Sequence, residues 1–255
     1  MKHTEARRLL RIGCAGWSLR RDQQSLFAAG DSQLQRYASV FEAVEVNSCF
    51  YRPHRKSTWL RWAESTPESF RFSYKLPKAI THQARLQGVD EALETFLDEV
   101  DSLGSRLGTL LVQLPPSLHF DPRVISEFFS LVRRLDDERN VRRAIACEPR
   151  HASWFTPQAS RLLEELEVAG VAAHPPRTGQ QFEPFGFGGH VYYRLHGAPR
   201  VYYSEYSRDD LKKLASRMSQ AIAAGIETWC IFDNTAEGYA VSNALELVQL
   251  MRGEG

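Results

Sequence analysis

The stretch Tyr192-Tyr193-Arg194-Leu195-His196-Gly197 shows a pattern that recurs in the chain and indicates its fold. Successive side chains of a β-strand point to opposite faces, so Val191, Tyr193 and Leu195 form one apolar face. Tyr192, Arg194 and His196 place polar groups on the other face. The alternation predicts a strand whose second face carries charge at its carboxyl end.

Three other segments repeat this pattern and also become polar toward their ends. They are 43–47 with Glu45 and Asn47, 70–75 with Arg71, Ser73 and Lys75, and 144–150 with Glu148 and Arg150. An unpaired charge is very unfavourable inside a protein, so charges that converge at strand ends are usually paired, bound to a ligand or catalytic. We therefore interpret the strand ends as a binding site.

Composition indicates an ordinary globular protein. The chain has 255 residues, 43% hydrophobic and 25% charged, which is enough for one large core. The net charge of +1 gives no general attraction for a polyanion, so a nucleic-acid partner would require a local basic patch. The sequence has no apolar run typical of a signal peptide or a membrane span, and we expect a cytoplasmic protein without a membrane partner.

The four cysteines, Cys14, Cys49, Cys147 and Cys230, are scattered singly and lack the C-x-x-C spacing of metal sites. Most of them lie in apolar, strand-like segments. We predict four free, buried thiols.

Eight strands separated by helices are predicted along the chain. The strands are expected at 11–16, 43–47, 70–75, 109–114, 143–148, 171–174, 190–196 and 227–233. A helix is expected over 91–103, after a long loop that carries Lys78 and His82, and further helices are expected to start at Asp121-Pro122 and near Thr156-Pro157. Segment 175–189 holds three prolines and four glycines, so an irregular loop is expected in place of the helix after strand six. The count favours a single-domain (β/α)8 barrel of the TIM type, an α/β fold that covers residues 1–255.

Several motifs, spread in order over nearly the whole chain, resemble those of the YecE-like family, a domain family of unknown function. They are Gly13-Cys14-Ala15-Gly16-Trp17, the segment 44–52, the segment 75–82, Gln113-Leu114-Pro115-Pro116, Glu148-Pro149-Arg150-His151, Arg194-Leu195-His196-Gly197 and Phe232-Asp233-Asn234. The resemblance implies a TIM-type barrel and no established activity. The chain departs from the usual family pattern at Ala15, His174 and Asp233.

In a barrel of this type, the carboxyl ends of the strands open onto one face, where catalytic residues lie. The candidate catalytic residues on that face are Glu45, Lys75, Glu148, His151, Arg194 and His196. The candidate substrate-binding residues are Trp17, Asn47, Tyr51, Arg52, His82, Gln113, Arg150, Asp233 and Asn234.

Two interpretations of this face require no anionic ligand. In one, Glu45 and Glu148 pair with Lys75, Arg150 and Arg194 in a structural network. In the other, three carboxylates and three imidazoles hold one or two divalent ions that activate water, although no H-x-H or H-E-x-x-H spacing is present. The donors of that metal hypothesis are Glu45, Glu148, Asp233, His82, His174 and His196. No cofactor is assigned, and a divalent metal stays an alternative.

We favour a third interpretation, a metal-free site for an anion. Basic side chains cluster at strand ends and in the loops that follow, and guanidinium groups suit phosphate or carboxylate. These are Arg52, Arg55, Lys56, Lys75, Lys78, Arg150, Arg194 and Arg200. His196 or His151 would act as general acid or base, Glu148 or Glu45 would orient it, and Arg194 would stabilise charge.

Two further roles are considered at the same face. Lys75 could form a Schiff base if its amine is desolvated. A base or a sugar could stack on aromatic side chains in the loops, or these rings could simply anchor the rim. The aromatic set is Trp17, Phe50, Tyr51, Tyr202, Tyr203 and Tyr206.

The sequence therefore favours an enzyme, a hydrolase or lyase, that acts on a small anionic substrate of phosphorylated or nucleotide-like character. The alternative is a non-catalytic protein that binds a metabolite or a partner in the same cleft. Substitution of Arg194 or Glu148 separates an active centre from a structural network: in an active centre the ligand is lost with little change in the thermal midpoint, whereas in a network stability falls.

Overall fold

Strands and helices alternate along the structure, a computed structural model that describes residues 8–176 and 181–253. The strands are β1 (Leu10–Cys14), β2 (Ala43–Val46), β3 (Arg71–Lys75), β4 (Leu107–Gln113), β5 (Ala144–Glu148), β6 (Ala169–Gly170), β7 (Ala172–His174), β8 (Phe185–Gly186), β9 (His190–Leu195) and β10 (Glu227–Phe232). The α-helices are α1 (Gln33–Ala38), α2 (Ser48–Tyr51), α3 (Lys56–Glu64), α4 (Asp90–Val100), α5 (Pro122–Glu138), α6 (Pro157–Glu165), α7 (Arg208–Ala223) and α8 (Tyr239–Arg252). The predicted mixed α/β architecture is confirmed.

The strands form two sheets, in the orders β1-β10-β9-β7 and β2-β3-β4-β5-β6-β8. Every pairing is parallel except that of β6 with β8. The sheets meet at two places. Ala15, after β1, bridges in parallel to Glu45 of β2, and the segment Ala169–His174 pairs first with β5 and then with β9. The carboxyl ends of the parallel strands therefore share one face.

Short side chains at one of these places permit a close approach of two backbones. A Cβ atom on Gly13 would lie only 2.0 Å from the carbonyl oxygen of Ala43. Tyr37 connects β1 and β2 at this place, because its hydroxyl accepts a hydrogen bond from the Cys14 amide at 2.7 Å and donates one to the Ala43 carbonyl at 2.9 Å. Glycine at position 13 is thus a packing requirement of the β1–β2 contact.

Capping residues set the starts of three helices, as the sequence predicts for α5 and α6. Asp121 accepts from the Arg123 and Val124 amides before Pro122, and Thr156 accepts from the Ala159 amide before Pro157. Ser207 caps α7 in the same way through the Asp210 amide at 3.2 Å. These caps place each helix directly after the loop that leaves a strand end.

The two faces of the strands contribute to two separate cores, as the period-two pattern predicts. Tyr193 and Leu195 belong to the larger core between strands and helices. Tyr192 belongs to a smaller core between the two sheets. The other fully buried members of this inner core are Ala43, Leu111, Ala146, Val171, Ala173, Trp229 and Ile231. The inner core excludes water from the space beneath the strand carboxyl ends.

Three local predictions require correction. Predicted strand six is divided into β6 and β7, because the segment changes partner from β5 to β9. The helix expected over 91–103 ends at Val100 and continues as a 3-10 turn, Asp101–Arg106, with Gly104 at a φ of 56°. The loop carrying His82 contains one π-helical turn, Ala79–Gln83.

The segment after strand six was expected to be irregular over 175–189. Its described part, 175–176 and 181–189, contains only the short strand β8, whereas 177–180 lie outside the described residues. All four cysteines are free and buried, which confirms that prediction. Within 8–176 and 181–253, no helix combines the length and the apolar composition needed to cross a membrane.

Candidate functional site

Arg194, the penultimate residue of β9, is the hub of the charged cluster at the strand ends. Its side chain is 1% exposed and donates to three carboxylates. Nε and Nη2 bind Glu45 at 2.9 and 2.6 Å in a bidentate pair, Nη1 binds Glu148 Oε2 at 2.5 Å, and Nη2 also reaches Asp233 Oδ2 at 3.1 Å. These contacts use four of the five guanidinium N–H groups, so at most one remains for a ligand.

The carboxylate of Glu45 lies deepest in the cluster, with no exposed surface. Besides Arg194, it accepts from the Tyr192 hydroxyl at 2.9 Å, and that hydroxyl is also 2.7 Å from Ser73 Oγ. A buried charge is tolerated when it is paired and hydrogen-bonded, and both conditions hold here. Glu45 therefore joins β2, β3 and β9 through their side chains.

His196 and Asp233 form a second pair beside the hub. His196 Nδ1 is 3.0 Å from Asp233 Oδ2, while Nε2 is buried and makes no hydrogen bond of good geometry, although Glu148 Oε1 is 3.3 Å away. Burial opposes the charged imidazole, but Glu148 and the bond to Asp233 outweigh it and raise the pKa of His196. Burial likewise opposes ionisation of Asp233, yet Arg194 and His196 lower its pKa.

Glu148 completes the cluster from the end of β5. It is 2% exposed and accepts from Arg194 and from Arg150, whose Nε is 3.0 Å from Glu148 Oε1. Burial raises its pKa, but the charges of Arg194, Arg150 and His196 prevail and hold the pKa well below the ordinary value. Gln113 lies at the edge of this contact, with Nε2 3.5 Å from Glu148 Oε1. Glu148 is thus ionised at neutral pH.

Lys75, the last residue of β3, differs from the other charged groups. It is 9% exposed, and its Nζ lies 4.1 Å from the centre of the Phe50 ring. Within the described part of the chain, it makes no ion pair. Burial first, and then the charge of Arg194, lower its pKa to about 8, against the opposing effect of the three carboxylates. Lys75 therefore supplies an amine that is partly neutral near physiological pH.

His82 lies next to Lys75. Its ring packs against Phe50 at 5.0 Å, and Nδ1 is 2.8 Å from Thr81 Oγ1. Burial, followed by the charges of Lys75, Arg150 and Lys78, lowers its pKa, so the imidazole is neutral at neutral pH. The surroundings of Lys75 and His82 are electropositive.

The structure does not bring every candidate into this cluster. His151 caps the 3-10 turn Ala152–Trp154 through the Ser153 amide and stacks on His119 at 3.7 Å. Tyr51 is 81% exposed, and Arg52 is also exposed at the rim. Trp17 packs edge-on against Trp62 at 5.0 Å, as expected for an anchor of the rim. These four candidates thus lie outside the ion-pair cluster, which consists of Glu45, Glu148, Arg150, Arg194, His196 and Asp233.

The two asparagines have different positions. Asn234 is fully buried and donates to the Ser204 carbonyl and to Asn243 Oδ1, both at 2.9 Å, so it fixes the loop after β9 to α8. Asn47 is half-buried, and its Oδ1 is buried without a hydrogen-bond partner in the described structure. The Oδ1 atom of Asn234 is likewise buried without a partner in the described structure, so both asparagines keep an acceptor, and Asn234 has a structural role in addition.

The donors of the metal hypothesis do not fit a metal ion. Arg194 already donates to all three carboxylates. His82 contacts Thr81, and His174 Nδ1 is 3.1 Å from the Tyr206 hydroxyl. Across residues 8–176 and 181–253, no three His, Cys, Asp or Glu side chains are grouped to hold a metal. Carboxylates that neutralise an arginine are poorly placed to bind a cation as well.

Sequence reasoning missed two parts of the site. Ser73 and Tyr192 belong to the Glu45 network but were not among the candidates. Both could have been found by extending the period-two rule two residues upstream, from Lys75 to Ser73 and from Arg194 to Tyr192. Phe50 was considered only for stacking, and its contact with Lys75 is a tertiary feature that no spacing indicates.

A family model described as "Protein of unknown function DUF72" matches residues 11–255 of the chain. The chain is similar to UPF0759 protein YecE of Escherichia coli strain K12, with 32% identity over 147 residues, which are 58% of this chain and 50% of YecE. UPF0759 protein YunF of Bacillus subtilis strain 168 is 21% identical, with 95% of each chain covered. The chain thus spans about half the length of YecE and nearly all of YunF.

Solved structures share the fold. A DUF72 family protein from Enterococcus faecalis V583 superposes with a TM-score of 0.76 at 22% identity, covering 95% of each chain. A DUF72 family protein from Thermotoga maritima MSB8 gives 0.75 at 24% identity, with 95% and 99% covered. A xylose isomerase-like TIM barrel/4-hydroxyphenylpyruvate dioxygenase fusion protein gives 0.52 at 12% identity, over 95% of this chain and 42% of that one. At these identities the likeness concerns the fold alone.

Proposed function

Because this chain belongs to the DUF72 family of proteins of unknown function, its activity has to be inferred from its own site, and we propose that it is an enzyme, a hydrolase or lyase, acting on a small anionic substrate. The substrate binds at the carboxyl ends of the strands. A phosphorylated or nucleotide-like molecule fits this chemistry, and the net charge of +1 gives less support to a nucleic-acid partner.

The observation that carries the proposal is the unpaired ammonium of Lys75. Three carboxylates, Glu45, Glu148 and Asp233, face Arg194 and Arg150, and the hub arginine binds all three. With Lys75, the cluster has three acids and three bases, and His196 adds a further positive charge when it is protonated. An anion is therefore the charge that the site lacks. Lys75 and the neighbouring His82 offer donors to it.

Proton transfer is assigned to the His196–Asp233 pair. Burial opposes the charged imidazole, but Glu148 and the 3.0 Å bond to Asp233 raise the pKa of His196, which favours the protonated form that a general acid needs. Asp233 is the more accessible member, with a side chain that is 14% exposed. Asp233 therefore takes the orienting role that was first assigned to Glu148 or Glu45, and Glu148 is a second neighbour of His196.

Arg194 acts as a positioning residue in this proposal. Its four donated bonds fix Glu45, Glu148 and Asp233, so its own contact with a substrate anion is limited to one N–H. This role differs from the charge-stabilising role suggested by the sequence. The pairs also neutralise the acids, which would otherwise repel an anionic substrate.

We also propose that the two sheets together make one closed (β/α)8 barrel of the TIM type, forming a single domain over residues 1–255. The Ala15–Glu45 bridge and the shared segment Ala169–His174 support this proposal, because they join the sheets at both ends. Catalytic groups of such barrels lie at the carboxyl ends of the strands, where Lys75, Glu148 and Arg194 are found.

The test combines ligand binding with turnover. Pyrophosphate and dihydroxyacetone phosphate are titrated calorimetrically into the wild-type protein and into Lys75→Met, with Lys213→Met, on the exposed face of α7, as the matched control. We expect at least a tenfold loss of affinity in Lys75→Met and no change in Lys213→Met. Equal affinity of all three proteins for the two anions would show that the anions do not bind at the strand ends.

Turnover is then measured on a panel of phosphomonoesters and sugar phosphates, following released phosphate and released carbonyl. His196→Gln is expected to lower the rate by about two orders of magnitude, as the loss of a general acid or base does, with little change in affinity. Tight binding in the absence of any turnover would favour the alternative of a non-catalytic binding protein.

A further inference from the structure

Lys75 is buried, and within residues 8–176 and 181–253 it has no acidic partner, which is unusual for a lysine. The reason lies in the hub: Glu45, Glu148 and Asp233 direct their oxygens at Arg194. The ammonium instead faces the Phe50 ring at 4.1 Å. A cation–π contact of this kind contributes about 0.5–2 kcal/mol, which is less than the cost of removing a lone ammonium from water. The charged form of Lys75 is therefore poorly compensated.

The charged groups that face this amine come from several elements. Glu45 lies on β2, Glu148 on β5, Arg194 on β9 and Asp233 directly after β10, and all four act on Lys75. His82, from the π-helical turn, is a further neighbour and is itself affected by the charge of Lys75. The result of burial and these charges is a pKa of about 8 for Lys75. At pH 7.5 roughly a quarter of the amine is then neutral, against about 0.1% for an ordinary lysine.

A neutral, fixed amine at the mouth of a site is a nucleophile for carbonyl carbon. We propose that Lys75 forms an imine with a carbonyl-bearing anionic substrate, which makes this protein a lyase rather than a hydrolase. The proposal rests on the anion site and on the His196–Asp233 pair described above, and it specifies the substrate class: a small keto or aldehyde compound that carries a carboxylate or a phosphate.

The steps balance without an oxidant, a reductant or another reactant. Lys75 Nζ attacks the carbonyl carbon, a C–N bond forms, and the oxygen leaves as water with the two hydrogens that the amine has lost. The imine nitrogen takes one proton from the protonated imidazole of the His196–Asp233 pair and becomes an iminium ion. The bond between the α and β carbons then breaks, and its electron pair passes to the iminium to give an enamine. The imidazole, now neutral, takes the proton of the hydroxyl on the β carbon, which leaves as a carbonyl compound. Reprotonation of the enamine and addition of water then regenerate Lys75.

The experiment traps the imine in the full-length protein. Wild type, Lys75→Arg and the control Lys213→Arg are incubated with pyruvate or dihydroxyacetone phosphate and reduced with sodium borohydride. The intact mass and the modified peptide are then determined by mass spectrometry. We expect a single reduced adduct on the peptide that contains Lys75 in wild type and Lys213→Arg, and no adduct in Lys75→Arg. Localisation in the wild-type protein requires no variant, so the result stands even if Lys75→Arg folds poorly.

Three outcomes overturn the proposal. Labelling of exposed lysines such as Lys213 at the same rate as Lys75 would show that the amine has no special reactivity. Calorimetric binding of dihydroxyacetone phosphate without an adduct on Lys75 would exclude the imine and leave the anion site in place. If neither probe binds and no adduct forms, the imine and the proposed function both fail.

Discussion

Replacement of Arg194 by methionine is the strongest test of the charged cluster. Methionine fills the space above the inner core with an apolar side chain, and all hydrogen bonds of the Arg194 guanidinium are lost. Glu148 retains Arg150 at 3.0 Å, and Asp233 retains His196 at 3.0 Å. Glu45 retains only the Tyr192 hydroxyl, although it has no exposed surface. The variant thus leaves one fully buried carboxylate without a cation.

Removal of one partner from a buried ion pair costs about 3–5 kcal/mol, because the remaining charge is desolvated and uncompensated. We therefore expect Arg194→Met to lower the free energy of unfolding by that amount. For a chain of this length, the thermal midpoint should fall by roughly 6–20 °C. The double variant Glu45→Gln/Arg194→Met lacks the unpaired charge, and it should recover at least half of the loss.

Urea unfolding, followed by circular dichroism at pH 7, measures these differences. The control is Arg208→Met, which breaks the exposed pair with Glu246 at 3.1 Å and should cost less than about 1 kcal/mol. A loss in Arg194→Met no larger than that in Arg208→Met, or a double variant no more stable than the single one, would refute the role assigned to the hub.

Three further predictions concern stability alone. Burial holds the pKa of His190 at about 4, below the value of about 6.5 in the unfolded chain. The stability that depends on a neutral His190 is therefore fully present above pH 6.5 and is lost as pH falls toward 4. Between pH 7 and pH 4.5, the urea midpoint of His190→Gln should change less than that of the wild type. Gly13→Ala should destabilise the protein by at least about 1–3 kcal/mol, because the new Cβ would lie 2.0 Å from the Ala43 carbonyl oxygen. In the control Gly188→Ala the new Cβ has nothing within 4 Å, so the thermal midpoint should stay unchanged. Arg143→Met should cost about 1.5–3 kcal/mol in urea, because the fully buried Asp136 loses one of its two cations and keeps only Arg133, at 3.4 Å, within the described structure. Arg123→Met, on an exposed pair, should cost less than about 1 kcal/mol.

Alternation along the strands made much of this fold predictable. Tyr192 and Arg194 fall on the inner face and Tyr193 and Leu195 on the outer face, as the period of two requires. Helix starts at Pro122 and Pro157 follow from local capping, which depends only on neighbouring residues. The division of strand six between β6 and β7 was not predictable, because it depends on which strands lie on either side of the segment.

The location of the candidate site could be predicted from the sequence, but the pairing of its acidic and basic side chains could not. Strand-end positions identify Glu45, Glu148, Arg194 and His196 as neighbours, since parallel strands end at a common face. They do not show which acid binds which base. Arg194 reaches three carboxylates because its long side chain spans the space between the sheets, and His151 is absent from the cluster because it caps a turn of its own. Such choices depend on side-chain conformation, which the spacing of residues leaves undetermined.

The pairing changes how a substitution at this face is to be interpreted. The sequence suggested that loss of Arg194 would remove ligand binding and spare stability, as in an active centre. With four bonds to three carboxylates, Arg194 is expected to affect both, so its substitution cannot separate a structural network from a catalytic site. Lys75 can separate them, because it makes no ion pair in the described structure and its charged form is opposed by burial. Conversion of Lys75 to methionine should therefore leave the fold as stable as the wild type at pH 7, or more stable, while it removes the anion site. In the proposed function, stability and reactivity therefore depend on different cations, because one arginine neutralises the acids and the lysine is left free to react.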